Sequence, residues 1–327
     1  MRSQPSDTDK TSIGSRYDAW IVVGMVAVLV VPASLTLLTV DQPRPGVDPT
    51  TNPTPLGYTW SLLLFIVPMA VIGWWFLRHP SYTLQRRAFW LTVGILSPLG
   101  VLLDILFGRK FFVFLNREAT LQLDIPAVGG GIPIEELVFY LTGFIVVLLL
   151  YIWADELWLG AYNVPDYAAE AGKLERLVRF DPKSLIFGVV LLAGAVVCKR
   201  FLAADPDGFP WYFTYLVLVA IVPSVGLFRS VEPFINWRAF SLTLFFILLV
   251  SLLWEATLGV PYEWWNYNQK AMMGIFIDGW TNLPIEAVCV WFAVTYTSVL
   301  LFEAIKVHQA SGRHLKESLF GSGRKSP

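Results

Sequence analysis

Eight stretches of this sequence run for 15 residues or more without a charged side chain: Ala19–Val40, Gly57–Leu77, Ala88–Leu103, Leu137–Trp153, Ser184–Cys198, Gly208–Phe228, Ala239–Trp254 and Ala287–Phe302. Crossing the hydrocarbon of a bilayer takes about 20 apolar residues in a helix. Several of these runs are shorter than that, and acidic or basic residues flank each short one. The pattern predicts an all-α integral membrane protein of about eight transmembrane helices.

Composition agrees with this. Charged residues make up only 15% of the chain and hydrophobic residues 55%, where a soluble domain carries roughly 25% charge. A net charge of −1 gives no reason to expect nucleic acid or an acidic macromolecule as partner. The partner the composition does imply is the lipid bilayer. Cys198 and Cys289 each lie in an apolar run and form neither a disulfide framework nor a metal-ligand spacing. His79, His308 and His314 lie outside the long apolar runs, so no His-ligated metal is expected within the membrane.

The polar N-terminal tail, residues 1–18, leads into a run too long for a cleavable signal peptide. With that tail inside, the inner loops and tails hold 17 of the 24 Lys and Arg residues and the outer loops hold 7. The positive-inside rule then places both termini in the cytoplasm of a multi-pass cell-membrane protein.

An internal repeat organises the chain. At an offset of 151 residues, Arg87-Ala88-Phe89 matches Arg238-Ala239-Phe240, Leu91-Thr92 matches Leu242-Thr243, Asp104 falls on Glu255, Gly108 on Gly259, and Pro133-Ile134-Glu135 on Pro284-Ile285-Glu286. The expected organisation is a first four-helix repeat over 19–153, a charged linker over 154–183, a second four-helix repeat over 184–305 and a basic tail over 306–327. An even number of helices per copy gives two parallel repeats about an axis along the membrane normal. The matched acids then gather on one side of the membrane.

Asp104 and Glu255 each follow 16 uncharged residues. Such a run reaches about 24 Å, short of the ~30 Å hydrocarbon core. The two acids therefore either sit in the apolar zone, where ionisable groups usually face a bundle interior and serve a purpose, or end their helices at the interface. Glu135, Glu136 and Glu286 follow prolines at helix starts, where Pro and acids are favoured on structural grounds alone. The motif nevertheless occurs twice in register and opens long apolar helices. Withdrawing a carboxyl from water is one way an enzyme keeps a general acid protonated near neutral pH. Glu135 and Glu136 point about 100° apart on a helix, so only one can face the same way as Glu286.

The loop Tyr262-Glu263-Trp264-Trp265-Asn266-Tyr267, with Trp280 beyond it, is rich in rings, and its counterpart is Phe111-Phe112-Val113-Phe114. Trp and Tyr collect at membrane interfaces in any case. Ring faces beside acids could also stabilise a cation or line a slot for a polyene. The chain has no G-x-G-x-x-G, no P-loop, no G-x-S-x-G, no aspartate-rich pair suited to magnesium and a diphosphate, and no lysine deep in an apolar run.

At these residues the chain resembles the lycopene cyclase domain family of membrane-embedded carotenoid cyclases. The features that carry the likeness are the tandem repeat, Gly131-Ile132-Pro133-Ile134-Glu135-Glu136, Trp265 and Tyr267 with Gly274 after them, and Leu283-Pro284-Ile285-Glu286. It covers roughly Gly57–Phe302. The chain departs from the family pattern at Ala287, where a second acid is common, and at Phe114, where a Trp would be expected. The resemblance implies a lycopene beta-cyclase, an intramolecular lyase (isomerase) of carotenoid biosynthesis. Its substrate would be lycopene or a related linear carotenoid, and association with other carotenoid enzymes would be natural. No cofactor is needed by stoichiometry. An acid from the Glu135–Glu136 pair would protonate the terminal alkene, and Glu286, Asp104 or Glu255 would serve as base or as acid at the matching site. Trp265, Tyr267 and Trp280 would face the cation, and Phe114 would join them in binding the substrate. A carotenoid hydratase and a proton-coupled transporter are the alternatives.

Overall fold

The computed structural model describes residues 54–277, 281 and 283–321. Seven helices in it are long and apolar enough to cross a membrane: α1 (Gly57–Arg78), α2 (Thr83–Phe111), α3 (Ile134–Trp158), α5 (Lys183–Leu202), α6 (Trp211–Phe234), α7 (Trp237–Gly259) and α8 (Glu286–Ser311). Two short helices, α4 (Tyr167–Lys173) and α9 (Leu315–Phe320), lie between α3 and α5 and after α8. The seven match the apolar runs from Gly57 onward. The expected first span, Ala19–Val40, and the tail before it lie outside the described residues.

Several helices extend past their uncharged runs. Helix α2 has 29 residues and carries Arg86, Arg87, Arg109 and Lys110 at its ends. Long basic side chains there can reach water while their stems stay against apolar surface. Prolines at Pro68 and Pro98 lie inside α1 and α2, as transmembrane helices tolerate when neighbours restore the freed backbone groups. The linker expected from residue 154 begins later, because α3 runs on through a π turn, Ala154–Trp158. The boundary expected at 305 falls inside α8, whose last turn closes on Gly312 at φ 65°, a left-handed cap that favours glycine.

Helices α3, α7 and α8 bury half or more of their most apolar windows inside the bundle, whereas α1 and α5 bury 17%. The first three therefore form the centre. The outer helices present Ile186, Val189 and Val190 on α5 and Val67, Val71 and Trp74 on α1. Large apolar side chains in such numbers on a surface mark contact with lipid. Packing is closest between α1 and α3, α2 and α8, α2 and α3, and α7 and α8.

Three two-stranded antiparallel ribbons occupy one end of the bundle. They pair β1 (Phe112–Val113) with β4 (Asn266–Tyr267), β2 (Asp124–Ala127) with β3 (Gly130–Pro133), and β5 (Phe276–Ile277) with β6 (Leu283–Pro284). The β1–β4 ribbon joins the loop after α2 to the loop after α7. Two asparagines clamp it. Asn116 donates from its backbone N to Glu263 O (3.0 Å) and from Nδ2 to Tyr262 O (3.0 Å). Asn268 donates from its N to Phe111 O (2.8 Å) and from Nδ2 to Lys110 O (2.9 Å).

These equivalent bonds lie 152 residues apart, one more than the offset that relates Asp104 to Glu255. The extra residue enters between Gly259, which keeps the offset of 151 from Gly108, and Tyr262, directly after the π turn Glu255–Gly259, whereas α2 stays α-helical through Phe111. A π turn accommodates one residue beyond the α-helical count. The longer β2–β3 hairpin returns the offset to 151 at Glu135 and Glu286.

Candidate functional site

The five acids singled out by sequence lie at the end of the bundle that carries the ribbons, and their environments divide them. Glu135 and Glu286 hold loops. Glu135 Oε1 accepts from Leu121 N at 2.7 Å and from Thr59 Oγ1 at 2.6 Å, and Glu286 Oε1 accepts from Met273 N at 2.5 Å. Each pins the preceding loop to the first turn of its helix. In both residues the other carboxyl oxygen is buried with no partner among the described residues.

Glu136 and Glu255 face a shared cavity. Pro133 ends β3 in an extended conformation and starts α3, and one step along the helix turns Glu136 away from the loop that Glu135 holds. Glu136 Oε1 accepts from the Tyr58 hydroxyl at 2.5 Å. Glu255 begins the π turn of α7. Its Oε2 accepts from the Tyr267 hydroxyl and its Oε1 from Trp291 Nε1 at 3.1 Å. Burial first, and the nearby Glu255 second, push the Tyr267 phenol well above its ordinary value. The phenol therefore keeps its proton and serves Glu255 as a donor.

Rings form most of the remaining wall. Tyr58, Phe139, Trp254, Trp265 and Trp291 surround the two carboxyls together with Phe112, Tyr140, Phe144 and Tyr212. Ring centroids lie 4.4 Å apart for Trp254–Trp265, 4.9 Å for Tyr58–Trp265 and 5.2 Å for Phe139–Trp254. Tilted contacts of this kind add about 0.5–1.5 kcal/mol each beyond burial. Gly259 makes room for it, since a Cβ there would come 2.2 Å from the Trp265 ring.

Asp104 lies just outside this cavity. It is 5% exposed and lines a neighbouring groove, and no described residue donates a hydrogen bond to its carboxyl. Its matched glycine, Gly108, leaves space for that carboxyl, because a Cβ there would meet Oδ1 at 2.3 Å.

Of the expected aromatic residues, Trp265 and Tyr267 line the cavity, and Trp280 lies outside the described residues. Phe114 does not reach it. Phe114 follows the end of β1 and lies beneath the Arg109 guanidinium, 5.7 Å from its ring centroid. Phe112, paired in register with Tyr267 and 5.4 Å from its ring, takes the place expected for Phe114.

A second polar cluster, not anticipated from sequence, sits toward the opposite ends of α3 and α8. Lys306 Nζ lies 3.1 Å from Glu303 Oε1 and 3.6 Å from Asp155 Oδ2, and all three side chains are 2% exposed or less. Tyr151 and Tyr167 donate to Glu303, while Asn163 and Asn236 donate to Asp155. Every charge here is met, so the cluster reads as a structural lock between α3, α8 and the start of α7.

The cavity thus offers one carboxyl with an oxygen open to the space and a second whose two oxygens both accept from donors. No lysine or arginine among the described residues lines it. Among the described residues no group of three or more His, Cys, Asp or Glu side chains is placed to hold a metal ion. Such an arrangement can deliver a proton, shelter a positive charge against ring faces and take a proton back. Comparisons with protein-family models, with curated proteins and with solved structures gave no match.

Proposed function

We propose that this chain is a lycopene beta-cyclase, closing the linear ends of lycopene to β-ionone rings by acid catalysis without redox change. The observation that carries the reading is the meeting of Glu136 and Glu255 in one ring-walled cavity inside an apolar bundle.

Glu136 is the general acid. It gives its proton to the terminal double bond, leaving a tertiary cation. The π electrons of the neighbouring alkene attack that cation, form the ring-closing carbon–carbon bond and move the positive charge onto the ring. Glu255, held by Tyr267 and Trp291, removes the adjacent proton, and the electrons of that C–H bond become the ring double bond. One proton enters and one leaves, so substrate and product are isomers. The faces of Trp254, Trp265, Trp291 and Tyr58 stabilise the charge in between. The apolar wall also keeps out water, which would trap the cation as an alcohol.

The finer architecture belongs to the same proposal. With Ala19–Val40 as a first span, the chain has eight helices in two parallel four-helix repeats about an axis along the membrane normal, with both termini cytoplasmic. The reciprocal asparagine clamps and the matching roles of Glu135 and Glu286 support that layout.

Expression in a lycopene-accumulating bacterial host tests the function. The expected result is conversion of lycopene to one- or two-ringed carotene, abolished by Glu136→Gln in protein that still reaches the membrane. Persistence of lycopene beside confirmed membrane expression would overturn the reading. Hydroxylated acyclic products would point to hydration instead.

A further inference from the structure

Beside the acid-lined cavity runs a longer groove. Its wall on α2 is one helical face, from Leu96 through Gly100 and Asp104 to Phe111. Fifteen residue steps at 1.5 Å make that wall about 22 Å long. Helix α6 supplies the facing wall, and α3 and α8 supply the floor. The groove shares six lining residues with the cavity: Phe112, Tyr140, Phe144, Tyr212, Val290 and Val294. The two spaces are therefore adjoining rooms.

Three observations say what the groove holds. Its rim carries Leu99 and Val219, which are 44% and 43% exposed on the lipid-facing side, so it opens toward the bilayer. Its lining is apolar along its length apart from hydroxyl groups and the buried, unpartnered carboxyl of Asp104. Toward the ribbon end rings pack along it, with Phe111 4.8 Å from Tyr212 and 5.3 Å from Tyr215, and a further space that shares Phe107, Phe111, Tyr215 and Val219 adjoins it. A groove on the outer side of α1, lined by Trp60, Leu64 and Trp264 among others, shares no residue with the cavity.

We propose that the α2–α6 groove is the binding site for the linear tail of the substrate, a stiff apolar polyene that slides in sideways from the bilayer while its reacting end enters the adjoining cavity to reach Glu136. This rests on the cyclase reading and adds the substrate's path and orientation to it. Lipid tails are as apolar as the polyene, so removal from water drives nothing here. Selection comes from conformational entropy: a stiff polyene has little to lose in a narrow groove, and a flexible acyl chain has more.

The test measures lycopene binding to the full chain in nanodiscs, in an E136Q background where no turnover occurs. Filling the groove with Ala220→Phe or, more mildly, Ala293→Val should weaken lycopene binding, by about tenfold or more for the larger change. Position is read separately. In a C198S/C289S background, a fluorophore on Val219→Cys should be quenched by bound lycopene, and one on Leu64→Cys, which sits on the outer groove of α1, should not. Leu64 and Val219 are 46% and 43% exposed, so both can be labelled, and the Val219 label stands on the rim of the groove. Quenching at Leu64 without quenching at Val219, or unchanged affinity in a folded Ala220→Phe protein, would overturn the proposal. If lycopene binds in this pattern but the unmutated chain forms no ring, the cyclase reading fails and the groove stands. If rings form but the pattern does not appear, the groove fails alone.

Discussion

At the scale of single residues, neighbours in one motif have different tasks. Glu136→Gln should lower ring formation by about 10²-fold or more, the usual contribution of a positioned acid or base, with little change in melting temperature. Glu135→Gln and Glu286→Gln should instead lower the melting temperature in detergent, because they disturb the short hydrogen bonds that hold loops at 2.5–2.7 Å. Pigment yield and a thermal melt on the same preparations separate the two outcomes. Tyr267 adds a pH criterion. Its phenol is raised above the ordinary value of 10.0, so the neutral donor persists as pH rises through 10. The activity profile should show no inflection there that Tyr267→Phe removes. The acids were legible in the sequence, since apolar runs and repeated proline–glutamate starts expose them. The choice between Glu135 and Glu136 was not, because it depends on which of the two α3 turns toward the cavity. Tyr58, Phe139, Trp254 and Trp291 were missed for a different reason. A ring inside an apolar run looks the same in sequence whether it faces lipid, core or a site.

At the scale of elements, the π turn of α7 and the β1–β4 ribbon determine where the walls stand. Removing one residue from the turn, for example Thr257, should restore α-helical spacing and rotate everything after it by about 100°. Trp265 would leave the wall and the Asn116 clamp would lose its carbonyls. The expected result is membrane-inserted protein without ring formation, read from pigments and a membrane fraction. Asn268→Ala removes the bond to Lys110 O and should cost about 1 kcal/mol in a detergent unfolding titration. Hydrophobic runs revealed the seven described helices because their period and length are local properties. Ribbon register is not local. Phe112 replaces Phe114 at the cavity because a strand from the second half pairs with the first, and no pattern within either loop fixes that pairing.

At the scale of the whole molecule, the two ends of the bundle play different parts. The Asp155–Glu303–Lys306 lock escaped the sequence reading because its members are far apart along the chain and look like ordinary helix-end charges. Lys306→Met should destabilise the protein by about 3–5 kcal/mol in detergent, since it strands two buried carboxylates, while the cavity residues remain intact. The other end carries an asymmetry. The position matching Glu136 is Ala287, fully buried against its neighbours, so the proposed cyclase has one reactive chamber among the described residues rather than two. A molecule with two identical tips must then be handled one tip at a time. It has to back out, turn round in the bilayer and queue again among untouched molecules. The single-ringed carotenoid should appear first and build up while lycopene is plentiful, with the doubly ringed product following after a lag. A time course at low and high protein-to-lycopene ratio would show that lag, or show the two products rising together from the start if a second chamber exists. The degree of completion would then be governed by supply and crowding in the membrane as much as by the shape of the protein.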